Sequence, residues 1–398
     1  MLIAFVSMSA WAVYNFRLDT IRALLADGHT ILVIAGNDAF APKLEAAGCR
    51  FIPLPYDNRS RNLLADLRFY SRLKKTYARE KPDLVFHYAI KANIYGSHAA
   101  AAVGIPSIAV VTGLGYPFSK KNLVYHIVRR LYSRMAKKAR EIWFLNKEDA
   151  SFFLQQRIAP AAKLHILPGE GINTDYFRPG AVTATPNPKP QTPNPRPLRF
   201  ILCSRLLKSK GIAHYAAACT ILRRRGFDFD AVLLGFYEKN HPDGIQPAQI
   251  RKWEEEGVIR FLGFAEDVRP HLDAADVYVF CSYYNEGVPR SLMEAASMEL
   301  PVIAPRLRGC KELLVDGETG WLTHPGDPVD LAEKMEKMLL LDPATRAEMG
   351  RRGRLLMESQ FSVERILGSY RAIIAAVGSE KRKDATLRQP VGEGPALQ

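Results

Sequence analysis

The sequence lacks the cysteine pattern of a disulfide-bonded or zinc-binding protein. Its five cysteines form no CxxC pair and have no histidine at zinc-finger spacing: Cys49, Cys203, Cys219, Cys281 and Cys310. Disulfide frameworks and structural zinc sites both require such clustering. The sequence therefore excludes both classes, favours a reducing compartment, and gives no reason to expect a bound metal or another cofactor.

Long apolar runs are also missing. A membrane-spanning helix needs roughly 18 consecutive apolar residues, and no window of the sequence approaches that length. The apolar start, Met1–Tyr14, has no basic residue ahead of it, so it is interpreted as a buried first strand rather than a signal peptide. With 47% hydrophobic and 24% charged residues, the composition is typical of a globular protein.

Acidic residues are scarce in one half only. Residues 1–180 hold 25 Lys and Arg against 13 Asp and Glu, whereas the remaining 218 residues hold 30 against 28. The net charge of +14 is therefore concentrated in the first half, which predicts a polyanionic partner there. Nucleic acid is not expected to be that partner, because the basic segments carry no recognised reading motif and no aromatic ladder.

Short apolar runs alternate with helical patterns in both halves, which indicates parallel βαβ units. The segment Thr183–Pro197, with six prolines in fifteen residues, is compatible with neither a helix nor a central strand. Two α/β halves joined by such a linker predict a ligand-binding cleft between them. The predicted divisions are a first domain at 1–180, a linker at 181–197, a second domain at 198–360, a helix at 361–380 and a disordered tail at 381–398.

Two segments of the second half predict an anion site. Arg205 and Lys210 lie in the turn after that half's first predicted strand, where α/β folds place anion-binding residues. In the segment Glu286–Glu294, Gly287 lets backbone approach a ligand and Pro289 suits the first turn of a helix. The first N–H groups of that helix would then face an anion. The alternatives are solvated loop cations and an ordinary capped helix.

Together these segments resemble the nucleotide-sugar half of glycosyltransferase family 4, which has the GT-B fold. The resemblance rests on the EGxPxxxxE pattern of Glu286–Glu294 and on Ser204–Gly211, with supporting matches at Gly263–Val268 and Leu313–Leu322. It implies an α/β protein with two Rossmann-like domains whose parallel sheets face each other across a cleft. It also implies a C-terminal helix that packs back on the first domain, and retaining transfer from a UDP-sugar without a divalent metal. The one DxD triplet, Asp228–Asp230, precedes a strand at the end away from the expected crevice and is interpreted as structural.

The resemblance implies a role for individual residues. Arg205 and Lys210 would bind the donor diphosphate and stabilise it as the leaving group, and with Glu286 they are the expected catalytic residues. Glu294 would accept hydrogen bonds from the ribose hydroxyls, while Glu286 contacts the donor sugar. The loop Phe261–Phe264 would hold the base, largely through backbone groups. The expected donor-binding residues are Ser204, Arg205, Lys210, Phe261, Gly263, Phe264, Glu286, Gly287, Val288, Pro289, Arg290, Ser291, Leu292 and Glu294.

The first half is similar to a narrower group. Its segments Ser9–Arg17, His87–Gly96 and Thr112–Phe118 are similar to bacterial surface-glycan enzymes of the diacetylbacillosaminyl-diphospho-undecaprenol N-acetylgalactosaminyltransferase type. Those enzymes act on a lipid diphosphate sugar at the cytoplasmic membrane face. The resemblance therefore implies a hexosyltransferase that moves a sugar, with an N-acetylhexosamine favoured, to an undecaprenyl-diphosphate-linked saccharide in glycan biosynthesis. One departure is Ser7–Ala10, since many members have a Gly-Gly loop there.

The acceptor-binding residues are expected near the ends of strands and at the start of the first helix. In an open parallel sheet, these positions meet at the ligand-binding edge. For His87, a satisfied core histidine at a strand end is the open alternative. The expected acceptor-binding residues are Asn15, Arg17, His87, Lys91, Asn93 and Gly115.

One segment of the first half predicts contact with a membrane. Lys120–Arg140 contains eight Lys and Arg and no acid, with apolar residues at three- and four-residue spacing. A basic amphipathic helix of this kind lies in a membrane interface, where each cation near an anionic leaflet contributes about 1 kcal/mol. A cytoplasmic protein held peripherally on the inner face of the cell membrane is therefore expected. The alternative is an apolar stripe packed on the sheet with solvated cations. The expected membrane-facing residues are Lys120, Lys121, Arg129, Arg130, Arg134, Lys137 and Lys138.

Two other functions stay open at this point. A UDP-sugar 2-epimerase also pairs two Rossmann-like domains, but it needs no acceptor and no basic membrane face. A basic binding protein on an inactive GT-B scaffold is the second alternative, although the candidate donor residues are all present. No residue pattern selects the donor sugar, the linkage position, the lipid carrier or the oligomeric state.

Overall fold

The computed structural model describes residues 1–54, 62–115, 118, 122–181, 196–238, 241–284 and 287–387. The chain forms two compact units. The first contains residues 1–112, 121–167 and those from 364 onward, and the second contains 113–120 and 168–363. The boundary expected at residue 180 therefore falls within the second unit. Residues 182–195 of the expected linker lie outside the described residues.

The first unit is a parallel sheet with helices on both faces, as the alternating apolar runs predict. Its strands are β1 (Leu2–Val6), β2 (Thr30–Ala35), β3 (Arg50–Pro53), β4 (Leu84–Tyr88), β5 (Ser107–Val111), β6 (Glu141–Phe144) and β7 (Leu164–Ile166). Its helices are α1 (Ala10–Ala26), α2 (Ala41–Ala46), α3 (Leu63–Glu80), α4 (Ser97–Ala101), α5 (Leu123–Ala136) and α6 (Lys147–Gln155). The strand order is β3-β2-β1-β4-β5-β6-β7. Right-handed crossovers place α1 and α2 on one face and α3 to α6 on the other.

The second unit repeats this plan with six parallel strands. The strands are β8 (Arg199–Arg205), β9 (Asp230–Phe236), β10 (Arg260–Phe261), β11 (Val277–Val279), β12 (Val302–Pro305) and β13 (Gly320–Thr323), in the order β10-β9-β8-β11-β12-β13. The helices are α7 (Ile212–Arg224), α8 (Pro247–Glu255), α9 (Arg269–Asp273), α10 (Arg290–Ser297), α11 (Arg308–Leu313), α12 (Pro328–Leu340) and α13 (Pro343–Leu356). Two apolar clusters fill the two sides of the sheet.

The last helix, α14 (Val363–Leu387), packs on the first unit. Its buried residues share one stripe: Ile366, Leu367, Tyr370, Ile373, Ile374 and Val377. The Tyr370 hydroxyl lies 2.8 Å from that of Tyr88. Residues 381–387 are helical, in contrast to the expected disordered tail, and 388–398 lie outside the described residues. No helix within the described residues combines the length and apolar character that crossing a membrane requires.

Candidate active site

The second sheet reverses its strand order between β8 and β11. From β8 the chain moves outward to β9 and β10, and it then returns to β11 on the other side of β8. In parallel α/β sheets, ligands bind in the crevice at the carboxyl ends of two such strands. The turn after β8 contains Lys210, and the segment after β11 leads into α10. Both segments singled out from the sequence therefore lie at this switch point.

The turn after β8 is held by a loop that follows β9. Lys208–Lys210 form a single 3-10 turn. Ser209 donates through its N–H and its hydroxyl to the carboxylate of Asp243, and the N–H of Lys208 donates to the carbonyl of Asp243 at 2.8 Å. On the other side, the carbonyl of Ser209 accepts from the N–H of Tyr283 at 3.2 Å. Sequence reasoning missed Asp243, because its His-Pro-Asp-Gly context is also that of an ordinary surface turn.

Gly211 allows this turn to approach the segment after β11. Its φ of 73° lies in the left-handed region that glycine tolerates. A Cβ at this position would lie 2.0 Å from the carbonyl oxygen of Cys281, so no other residue fits without moving the backbone. Lys210 immediately precedes Gly211 and is therefore held at the junction of the two loops. Its role as a cation for a donor diphosphate stays a prediction.

Arg205 is the last residue of β8, and it is paired with a carboxylate. Its Nη1 lies 2.7 Å from Oε2 of Glu238, in the loop after β9. The Arg205 side chain is 42% exposed and that of Glu238 is 29% exposed, so solvent screens the pair and its contribution to stability is small. A guanidinium has five N–H donors, and the bond to Glu238 orients it while leaving others for a ligand. The Ser204 hydroxyl is used locally, because it donates to the carbonyl of Arg205 at 3.1 Å.

Helix α10 begins at Arg290, and no side chain among the described residues caps its first turn. Pro289 precedes it in an extended conformation, and uncapped N–H groups at a helix start attract anions. The expectation that Leu292 binds the donor is corrected. Its side chain is buried, and its N–H donates to the carbonyl of Pro289 at 3.2 Å. Gly287 lies just before α10, and Gly309 lies in α11. A Cβ on Gly309 would lie 1.5 Å from the carbonyl oxygen of Gly287. The start of α10 is therefore packed closely against α11.

Glu294 lies one turn into α10 and pairs with Arg290. Its Oε1 accepts from Nε of Arg290 at 3.1 Å, and Nη1 of Arg290 donates to the carbonyl of Gly171 at 3.3 Å. Burial raises the pKa of Glu294 above its usual value, and Arg290 opposes that rise. Among the described residues, no side chain bonds to the second oxygen of Glu294, which is thus available to a hydroxyl. Glu286 lies outside the described residues, so its role stays a prediction.

The loop after β10 presents an aromatic surface. Gly263 turns the chain with φ 75°, and its carbonyl accepts from the N–H of Gly235 at 2.8 Å. Phe264 follows with 67% of its surface exposed, and its ring packs edge-on against Phe236 at 5.7 Å. Phe261 ends β10 and is partly buried. The exposed ring of Phe264 is a surface on which a flat base could stack, in addition to the backbone groups of the loop.

Asp230 of the DxD triplet lies at the amino end of β9, as predicted, at the edge opposite this site. Its Oδ2 accepts from Nε of Arg199 at 2.7 Å and from Nη2 of Arg260 at 2.6 Å. These two cations account for a structural role. Over the described part of the chain, no group of three or more His, Cys, Asp or Glu side chains is arranged to hold a metal ion.

The first sheet reverses its order between β1 and β4, and two acceptor candidates follow β1. Asn15 donates to the carbonyl of Trp11 in its own helix at 2.9 Å. Arg17 is 5% exposed, donates to the carbonyl of Ala12 at 2.9 Å, and places its guanidinium carbon 3.8 Å from the ring centre of Tyr88. The expectation that Arg17 meets an anion is therefore corrected, because this cation is buried against an aromatic ring.

His87 and Asn93 are core residues, and neither has exposed surface. Nε2 of His87 lies 2.8 Å from the hydroxyl of Tyr77, and Nδ1 lies 3.5 Å from that of Ser97. Burial lowers the pKa of His87 to about 3, so its imidazole is neutral near pH 7. Nδ2 of Asn93 donates to the carbonyl of Val110 at 3.0 Å. The expectation that these two residues contact an acceptor is thus corrected, and the core alternative describes His87.

Lys91 follows β4, and its role as an acceptor-binding residue stays a prediction. Its Nζ lies 2.7 Å from Oδ1 of Asp66 on α3. Two residues earlier, Ala89 has a φ of 73°, which is strained for a residue with a Cβ, and Ala92–Gly96 form a π-helical turn. Both features cluster at functional sites. Gly115, with φ 64°, belongs to the second unit and not to the first as expected.

Helix α5 carries its basic residues mostly on the outside. Its exposed cations, with those just after its end, are Arg130, Arg134, Lys137 and Lys138. The expectation that Arg129 faces a membrane is corrected, because this residue is partly buried. Its Nη2 donates to the carbonyl of Gln156 at 2.9 Å, which anchors α5 to the end of α6. Lys120 and Lys121 lie outside the described residues.

Two α/β units with parallel sheets are typical of GT-B proteins, and the cations and helix start at the switch point of the second sheet agree with a glycosyltransferase of that fold. Residues 15–170 match the family described as "Glycosyl transferase 4-like domain", and residues 197–340 match "Glycosyl transferases group 1". The chain therefore contains both of these glycosyltransferase domains, one after the other. The predicted fold class and the prediction of a hexosyltransferase are confirmed.

Individual relatives cover most of the chain. It is similar to N,N'-diacetylbacillosaminyl-diphospho-undecaprenol alpha-1,3-N-acetylgalactosaminyltransferase of Campylobacter jejuni, with 26% identity over 95% of this chain and 100% of that protein. It is 23% identical to UDP-Gal:alpha-D-GlcNAc-diphosphoundecaprenol alpha-1,3-galactosyltransferase of Escherichia coli, over 68% and 69% of the two chains. The structure of Anabaena Alr3699/HepE in complex with UDP and glucose has a TM-score of 0.76 at 20% identity and covers 94% of this chain and 100% of that one.

Proposed function

We propose that the protein is a retaining, metal-independent glycosyltransferase that moves a sugar, with an N-acetylhexosamine expected, from a UDP-sugar to an undecaprenyl-diphosphate-linked saccharide. The observation that carries the proposal is the grouping of Arg205, the Lys208–Lys210 turn and the start of α10 at one switch point. The names of the Campylobacter and Escherichia relatives include diphospho-undecaprenol saccharides and, in one case, UDP-Gal, which supports the choice of substrates.

The reaction requires the second unit to neutralise the negative charge that develops on the departing diphosphate. The bond between the anomeric carbon and the diphosphate oxygen breaks, and its electron pair stays on the diphosphate. The acceptor oxygen bonds to the same face of that carbon, and its proton passes to the diphosphate. Arg205, Lys210 and the first N–H groups of α10 carry positive charge at the edge where this diphosphate would lie. The second oxygen of Glu294 would accept from a donor hydroxyl, and the ring of Phe264 would stack on the base.

The first unit would supply the acceptor side and the location of the enzyme. Lys91 would contact the acceptor diphosphate as a point charge. The exposed cations of α5 lie on one side of the helix, and each would contribute about 1 kcal/mol near an anionic leaflet. The protein is therefore expected to work in the cytoplasm, bound peripherally to the inner face of the cell membrane.

Release of UDP or GDP from a panel of nucleotide sugars tests this function. The assay is run in EDTA, with and without an undecaprenyl-diphosphate-linked saccharide, and NMR of the product gives the anomeric configuration. We expect UDP release to rise with the lipid acceptor and to survive EDTA. The product should keep the anomeric configuration of the donor sugar. Epimerised UDP-sugar without transfer would indicate the epimerase alternative. A folded protein that consumes no donor would indicate the scaffold alternative.

A further inference from the structure

The first turns of α3 expose three leucines. Leu63, Leu64 and Leu67 are 69%, 63% and 54% exposed, respectively. The same helix turns Phe69, Leu73 and Tyr77 into the core, so the leucines lie outside its buried stripe. Single exposed leucines are common in proteins, whereas a contiguous exposed apolar patch marks an interaction site.

Helix α5 repeats the arrangement at its own start. Leu123 and Ile127 are 75% and 50% exposed, while Tyr132 and Met135 further along are buried. Both helices pack against the π-helical turn Ala92–Gly96 and lie on the same face of the sheet. Both also begin at the carboxyl edge of the strands, because each follows a parallel strand. The five exposed apolar side chains therefore collect at one edge of the first unit.

Exposed cations follow these apolar residues along both helices. On α3 they include Arg68, Arg72 and Lys75, and on α5 they include Arg130 and Arg134. No acidic residue is exposed on the described part of either helix. At about 1.5 Å per residue, the seven steps from Leu123 to Arg130 span about 10 Å along the helix axis. With the helix starts directed at a bilayer, these cations lie behind the apolar side chains, on the side of the phospholipid headgroups.

We propose that the starts of α3 and α5 form one membrane-insertion surface for an anionic phospholipid bilayer. The leucines and Ile127 enter the acyl boundary, and the cations behind them meet the phospholipid headgroups. This proposal rests on the proposed function, since a lipid-linked acceptor is presented at a membrane surface. It adds an orientation: the carboxyl edge of the first sheet faces the bilayer. Asp66, in the same turn as Leu64 and Leu67, points inward to Lys91, which places that cation directly behind the surface.

Vesicle flotation of the full chain tests the proposal. The vesicles contain phosphatidylcholine alone, or phosphatidylcholine with about one third phosphatidylglycerol. Replacing Leu63, Leu64 and Leu67 together by alanine is expected to lower partitioning into both kinds of vesicle about tenfold or more, because buried apolar area is lost. The pair Arg130→Gln and Arg134→Gln is expected to lower binding to the anionic vesicles only, also about tenfold.

The second unit supplies a matched control. Leu340 and Leu355 are 70% and 62% exposed on α12 and α13, so replacing both by alanine changes the same chemistry elsewhere and should leave partitioning unchanged. Leucine variants that bind vesicles like the wild type would overturn the proposal. A leucine variant whose oligomeric state changes in light scattering while its vesicle binding stays the same would also overturn the proposal. That result would assign the patch to contact with a second copy of the chain.

A detergent-dispersed acceptor separates this proposal from the proposed function. The triple-leucine variant should transfer sugar to that acceptor at the wild-type rate, since no insertion is needed, and should be slow only with acceptor in vesicles. Equal rates in vesicles for variant and wild type would contradict the insertion surface. Wild-type protein that binds vesicles but transfers to neither acceptor would refute the transferase function and leave the surface standing.

Discussion

Asp66 joins α3 to the segment after β4 by accepting from two residues at once. Nζ of Lys91 lies 2.7 Å from one carboxylate oxygen, and the hydroxyl of Tyr95 lies 2.9 Å from the other. The Lys91 and Asp66 side chains are only 14% and 15% exposed. Burial, together with the nearby Asp66 carboxylate, raises the pKa of Tyr95, which keeps its hydroxyl a donor. The ammonium of Lys91 is thereby fixed at the switch point of the first sheet.

Replacing Lys91 by methionine should raise the KM for the lipid acceptor about tenfold, which corresponds to 1.4 kcal/mol. The expected cause is the loss of one charged contact to the acceptor diphosphate. Initial rates at varied acceptor concentration measure the effect, and the KM for the donor should stay the same.

Asp66→Asn is the companion variant, because it keeps the side-chain volume and removes the charge that positions Lys91. A smaller rise in acceptor KM with little change in kcat is expected. A folded Lys91→Met enzyme with unchanged acceptor KM would remove Lys91 from the acceptor site.

Arg205→Ala should lower kcat about a hundredfold. A preorganised charge that stabilises a developing anion contributes about 3 kcal/mol, at about tenfold in rate per 1.4 kcal/mol. Arg260→Ala is the matched control, because Arg260 is also paired with a carboxylate, that of Asp230, but at the opposite edge of the same sheet. A loss of less than about threefold in the Arg205 variant would exclude it from the mechanism.

His87 should make the folded protein less stable as the pH falls below about 6.5. Burial lowers its folded-state pKa to about 3 from an ordinary value of 6.5. Between these values the unfolded state binds the extra proton, so the stability is fully present above pH 6.5 and declines toward pH 3. The slope due to this one group is at most about 1.4 kcal/mol per pH unit. Urea unfolding at several pH values measures it.

His87→Gln should flatten that dependence, and His126→Gln, at an exposed position on α5, should not. Equal slopes for wild type and the His87 variant would show that the pKa of His87 is not lowered in the folded protein.

Tyr370 should contribute several kcal/mol to the stability of the first unit. Its ring lies 4.9 Å from that of Phe86 and 5.0 Å from that of Trp143. Tyr370→Ala should lower the free energy of unfolding by about 3–5 kcal/mol, since it leaves a cavity. Tyr370→Phe, which removes the bond to Tyr88 and keeps the ring, should cost about 1 kcal/mol.

A chain that ends at Phe361 lacks α14 and should melt at a lower temperature than the full chain. Arg371→Ala is the control, since its surface pair with Asp27 is worth at most about 1 kcal/mol. A truncated protein with unchanged melting would contradict the role of α14.

Much of the fold was determined by local sequence pattern. The apolar runs Leu2–Val6 and Thr30–Ala35 form strands, because parallel strands covered on both faces must be apolar throughout. β13 was not predicted, since Gly320–Thr323 is short and starts with a glycine. That glycine is required by the fold, as a Cβ there would lie 1.9 Å from the carbonyl oxygen of Val302.

The site divides in the same way between sequence and tertiary structure. The sequence by itself determined that Arg205, Lys210 and the start of α10 lie at or after the ends of strands, and parallel strands bring such positions to one edge. Only the tertiary structure decided that His87 is buried, because a strand-end position does not show whether a helix covers it. Likewise, Asp243 holds the Lys208–Lys210 turn from a separate loop. Such contacts join residues distant in sequence, and no local pattern of apolar or charged residues encodes them.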